Sequence, residues 1–148
     1  MEMTPKRIVI HCTATPNGKD ISLEALERAH RLRGFTTIGY HHVIQPKGEI
    51  IQTRANEIEG AHVKGENHDT IGIALVWEDK FTSDQWKSLR FIVRDLLEVY
   101  KIPSYEIYGH YEFASAREQG KTCPNVPIKR LFSWILDGSN QALEEHLL

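Results

Sequence analysis

Thr70-Ile-Gly-Ile-Ala-Leu-Val-Trp77 is an almost unbroken apolar run. A run this short and this apolar reads as a β-strand with both faces buried. Such a strand needs cover above and below, which points to a layered sheet with helices packed on it. Arg7-Ile-Val-Ile-His-Cys12 is a second run of the same kind. Its alternation turns Ile8, Ile10 and Cys12 one way and Val9 and His11 the other, so it too is expected at the centre of the sheet.

The remaining elements follow from local signals. Thr13 to Asp20 is dense in turn formers. Ser22 is placed to cap a helix through Leu23, Leu26, Ala29 and His30 that stops at Gly34. Gly39 to Gln45 and Glu49 to Thr53 read as strands joined by a hairpin turn at Pro46-Lys-Gly48. Glu57 to Asp69 is irregular and polar. Thr82-Ser-Asp-Gln85 has the capping-box pattern, with Phe81 and Trp86 spaced for a hydrophobic staple. Trp86, Leu89, Val93, Leu96 and Tyr100 then form one stripe, widened by Ile92 and Leu97, in a helix that ends before Pro103. Glu106 to His110 is the last strand, and Pro127 and Gly138 bracket a helix with Ile128, Leu131, Trp134 and Ile135 inward. The order β-α-β-β-β-α-β-α predicts the α/β class. Its expected form is one domain with a mixed central sheet of about five strands flanked by helices on both faces.

At 148 residues the chain suits one domain with one core over 1–148, with 1–6 as a leading segment and 139–148 as a tail helix. Eighteen basic against 20 acidic residues give a net charge of −2, which leaves no nucleic-acid footprint. No apolar run approaches the ~20 residues of a membrane span. Met1-Glu-Met-Thr-Pro5 lacks a signal-peptide core, so the chain is expected to be made, and at first to stay, in the cytoplasm, as a monomer. Two cysteines are too few for a disulfide scaffold.

The chemistry gathers in Gly109 to Asn125, GHYEFASAREQGKTCPN. His110 ends a strand, a loop rich in charge and small residues follows, and the loop closes on Lys121-Thr-Cys123-Pro. Imidazole and thiolate both suit Zn²⁺, and Lys121 can place positive charge beside the same ion. Two ligands do not hold a catalytic zinc; His11, at the end of another strand, is the best third. Ligands in α/β sheets gather outside strand ends. Cys12 is read as a core residue because alternation turns it away from His11. His41 and His42 point to opposite faces, with His42 on the side of Tyr40, and neither is assigned a catalytic role.

Four stretches taken together resemble a known family. They are Ile-His11-Cys-Thr-Ala-Thr, Gly-Tyr40-His-His-Val-Ile, Gly-Ala-His62-Val-Lys-Gly-Glu-Asn67-His-Asp-Thr-Ile-Gly-Ile, and Gly-His110 through Lys121-Thr-Cys123-Pro. In this order they are similar to the zinc-dependent N-acetylmuramoyl-L-alanine amidases of the type-2 family, which includes phage lysozymes and peptidoglycan-recognition proteins. The resemblance spans about Arg7 to Ile135. It implies His11, His110 and Cys123 as ligands of one zinc ion and Tyr40 and Lys121 as catalytic residues. His62 and Asn67 lie on the loop expected to rim the cleft and contact substrate. The loop between His110 and Cys123 is longer than in the compact phage enzymes.

The implied reaction is hydrolysis of the amide between N-acetylmuramic acid and L-alanine in peptidoglycan, by a phage-type endolysin that reaches the wall after the membrane is permeabilised. Lys121 would stabilise the charge growing on the carbonyl oxygen. Tyr40 would hold the attacking water or protonate the leaving amine. Activity is expected to fall below about pH 6 as the histidines protonate. Three rivals remain at this level: a muropeptide-binding module that does not cut, an amidase that also inhibits an RNA polymerase, and a thiol hydrolase pairing Cys123 with His110.

Overall fold

The computed structural model describes residues 2–34, 38–127 and 133–135. Along the chain run β1 (Arg7–Cys12), α1 (Leu23–Leu32), β2 (His42–Ile44), β3 (Ile50–Gln52), β4 (Thr70–Leu75), α2 (Ser83–Tyr100) and β5 (Ile107–Gly109). A 3-10 turn, His110–Glu112, and a short helix α3 (Ala114–Glu118) follow. The strands form one mixed sheet in the order β3-β2-β4-β1-β5. The two apolar runs pair with each other in parallel, Val9 opposite Gly72 and His11 opposite Ala74. β2 and β5 add in parallel on either side, and β3 closes one edge as the antiparallel arm of the expected hairpin.

Alternation along β1 and β4 divides the interior. Ile8, Ile10, Cys12, Ile71, Ile73 and Leu75 face α2, where they join Trp86, Leu89, Ile92, Val93 and Leu96 in one apolar cluster. On the other face Val9 packs with Val63, Phe113 and Ala116 of α3, and Val43 packs with Val76, Ile38 and Leu26 of α1. Helices therefore cover both faces.

α2 begins as its sequence predicts. The Thr82 side chain accepts from the backbone N–H of Gln85, and the Gln85 side chain accepts from the N–H of Thr82. Phe81 and Trp86 meet edge to face, with ring centroids 5.5 Å apart. Gln85 is fully buried, and its amide donates to the carbonyls of Ile44 and Val76, so one capping side chain also satisfies the ends of β2 and β4. The helix stops at Lys101, whose φ of 55° is left-handed. Trp134 and Ile135 are buried against α2, and the Trp134 indole donates to the carbonyl of Trp86. Ile128 and Leu131 of their expected helix, and the tail helix over 139–148, lie outside the described residues.

Two expectations are corrected. β2 begins at His42 rather than Gly39, and the Gly39 carbonyl instead accepts from the Ala61 N–H at 3.0 Å. Gly39 lies so close to Ala61 that a Cβ there would overlap the Ala61 carbonyl oxygen at 2.0 Å. Strand alternation thus does not reach Tyr40: its ring lies on the His11 face, as does that of His41, while His42 sits beside Asn56. The second correction is α3, a helix inside what reads as a loop between His110 and Cys123.

Candidate metal centre

Ile10 of β1 pairs with Gly109 of β5, so His11 and His110 follow at the same end of adjacent strands. Their rings lie 4.4 Å apart between centroids. Backbone hydrogen bonds bring the loop carrying Cys123 back over both strands. Tyr111 N–H donates to the Cys123 carbonyl at 3.0 Å, and Cys12 N–H donates to Cys123 Sγ at 2.8 Å. One ligand atom from each of His11, His110 and Cys123 then lies within 4.8 Å of the other two.

These donors suit a metal ion. Burial, with a smaller contribution from Lys121, pushes the His110 imidazole down to about 4, so it is neutral with a free lone pair at physiological pH. Burial, together with the neighbouring His62, His110, Lys121 and His41, lowers His11 well below its ordinary value. The Cys123 thiol is raised, first by its hydrogen bond with Cys12 and then by burial, while the Cys12 backbone N–H and Lys121 act the other way. An ion that replaces the thiol proton would meet two neutral imidazoles and one thiolate, a set suited to borderline-soft divalent metals.

The group forms part of the lining of a cavity of about 630 Å³ that also takes in Tyr40, Lys121, His62 and Asn67. Tyr40 is held between His11 and His30, with ring centroids at 5.1 and 5.4 Å. Burial raises its phenol, which stays protonated. His62 is 8% exposed, and its Nδ1 lies 2.9 Å from His11 Nε2. Asn67 Oδ1 accepts from the backbone N–H groups of His62 and Val63, both at 2.8 Å, and so shapes the loop that carries His62.

Several residues with a part in this arrangement were given no role from the sequence. His41 Nδ1 accepts from Gly72 N–H, and its Nε2 meets the Ile58 carbonyl, which fastens the loop to β4. Asn125, at a left-handed φ of 64°, donates to the Glu78 carbonyl and more weakly to Cys12 Sγ, which ties the Cys123 loop to the end of β1. An asparagine two residues past the cysteine was the available signal, since Asn tolerates that backbone region. Cys12 is buried among Ile8 and Ile10 as expected, yet it also touches Cys123.

Comparison with known proteins places this geometry. The sequence pattern described as N-acetylmuramoyl-L-alanine amidase matches residues 1–126. The chain belongs to that amidase family. It is 30% identical over 131 residues to the endolysin of Escherichia phage T7, covering 83% of this chain and 82% of that protein. The N-acetylmuramoyl-L-alanine amidase LysC from Clostridium intestinale superposes with a TM-score of 0.76 at 26% identity, over 91% of this chain and 87% of LysC. A Drosophila peptidoglycan recognition protein, PGRP-SD, shares the fold with a TM-score of 0.67 at 22% identity, over 84% of this chain and 85% of its own. The chain is thus an N-acetylmuramoyl-L-alanine amidase of the type that includes phage endolysins.

Proposed function

We propose that this amidase is zinc-dependent and acts as a phage-type endolysin, cleaving the amide between the lactyl group of N-acetylmuramic acid and L-alanine in peptidoglycan. It would be made in the cytoplasm and reach the wall once the membrane is permeabilised; among the described residues no helix is long and apolar enough to cross a membrane. The observation that carries the reading is the meeting of His11, His110 and Cys123 at a cavity that also takes in Tyr40 and Lys121.

When bound by these three residues, zinc supplies a Lewis acid for the amide carbonyl and lowers the pKa of water. His11 and His110 each contribute a neutral lone pair, and Cys123 contributes a thiolate after loss of its proton. The Lys121 ammonium stabilises negative charge on the carbonyl oxygen, a role typically worth ~3–4 kcal/mol. Tyr40, protonated, is a hydroxyl donor; it orients the attacking water or gives a proton to the leaving amine. His62 and Asn67 line the same cavity.

The test couples metal analysis of the purified protein to release of L-alanyl peptides from purified cell walls. About one zinc per chain and loss of release on chelation are expected. Undiminished release without metal would replace this reading with a thiol hydrolase using Cys123 and His110.

A further inference from the structure

The His62 ring occupies space that two glycines leave open. A Cβ on Gly72, in the middle of β4, would come within 2.7 Å of the ring, and one on Gly60 would do the same. The ring reaches out of this slot at both nitrogens. Nδ1 meets His11 Nε2 at 2.9 Å, and Nε2 meets Thr70 Oγ1 at 3.1 Å. Thr70 Oγ1 also lies 3.0 Å from the carbonyl oxygens of Glu66 and Asn67.

Counting protons gives this chain a direction. A carbonyl oxygen can only accept, and two of them lie closer to Thr70 Oγ1 than the ring nitrogen does, which favours giving the single hydroxyl proton to Glu66 or Asn67. Thr70 Oγ1 then accepts from His62, so His62 Nε2 bears the ring proton. On a neutral imidazole the other nitrogen, Nδ1, is an acceptor. His11 Nε2 must therefore donate, which leaves Nδ1 as the lone-pair nitrogen of His11.

We propose that His62 and Thr70 are positioning residues that hold His11 in its Nε2-protonated tautomer, so that Nδ1 is its ligating atom. The proposal deepens the zinc reading above and assigns His62 to the ligand rather than to the substrate. Gly60 and Gly72 admit the ring, and Asn67 fixes its backbone. Removing a partner of this kind typically lowers metal affinity 10–100-fold.

The test has two arms. Nitrogen-15 NMR of histidine-labelled, metal-free protein should show His11 protonated on Nε2 and bare on Nδ1, and His62 likewise protonated on Nε2. His11 protonated on Nδ1 would overturn the proposal. In the second arm, zinc affinity is measured by chelator competition. Thr70→Val, close in shape but without the acceptor, and His62→Ala should each bind zinc about 10–100-fold more weakly. His62→Asn, whose Oδ1 can replace the Nδ1 acceptor, should recover most of the loss; a merely structural role would not distinguish it from alanine. Folded Thr70→Val and His62→Ala proteins with native affinity would also overturn the proposal. If the native protein took up no zinc, the proposed function would fall, and the metal-free spectra would still decide the tautomer on their own.

Discussion

On the α2 side of the sheet, Ile8, Ile10, Ile71, Ile73 and Leu75 meet Trp86, Leu89, Val93 and Leu96. On the other side the same two strands present Val9, His11, Gly72 and Ala74 beneath His62, Tyr40 and His110. Both regions are buried, but one is filled by large aliphatic side chains and the other by imidazoles resting on small residues. A two-residue period places these faces on one backbone, so the apolar layer lies directly behind His11. The α2 face supplies stability and holds the strand ends in register. The opposite face can then carry buried polar groups: the His11 and His62 rings bond each other, the His62 ring also meets Thr70, and the His41 ring meets the Ile58 carbonyl.

If that division is real, substitutions on the two faces should fail in different ways. The largest effect is expected for Cys123→Ser, which should lose most bound zinc and nearly all wall-hydrolysing activity while the thermal transition of the metal-free protein hardly moves. Full activity in that variant would remove Cys123 from the site. Trp86→Ala belongs to the other face and should cost ~3–5 kcal/mol of folding stability in urea titration. At low temperature, the fraction still folded should bind zinc with native stoichiometry. Lys121→Ala should retain zinc and lower turnover by ~10²–10³; unchanged turnover would deny it a role at the carbonyl oxygen.

Acid provides a milder probe confined to the site face. Burial holds His41 and His110 at about 4 and His62 at about 3, whereas in the unfolded chain each returns toward ~6.5. The unfolded chain thus takes up protons first as pH falls. Stability of the metal-free protein should be complete above about pH 6.5 and decline steadily toward about pH 4. Thermal melts in chelator that stay flat across this window would contradict the buried, neutral imidazoles. The same shifts revise the sequence expectation for activity, since these histidines resist protonation well below pH 6. The smallest effect is expected for Thr82→Ala, about 1 kcal/mol from the lost cap, with zinc affinity unchanged.

The two faces also differed in how readily they could be read from sequence. The α2 face was open to reading because its rules are local: alternation in β1, the capping box at Thr82 and the stripe from Trp86 each lie within a few neighbouring residues. The site face depends on contacts between distant segments. Nothing near His62 indicates that its ring will meet His11 across 51 positions. Tyr40 was assigned its side from an alternation that its backbone does not follow. α3 was missed because Ala114-Ser-Ala-Arg-Glu118 is too short to show a helical period. Ligand chemistry and strand-end placement pointed to His11, His110 and Cys123, and the resemblance to a family implied the same three; spacing alone would not have joined them.

X-ray absorption at the zinc edge of the purified protein addresses the central claim most directly. One sulfur at about 2.3 Å and two imidazole nitrogens at about 2.0–2.1 Å are expected, with a lighter atom completing four-fold coordination. A shell of nitrogen and oxygen only, or one with two sulfurs, would show that His11, His110 and Cys123 do not together hold the ion.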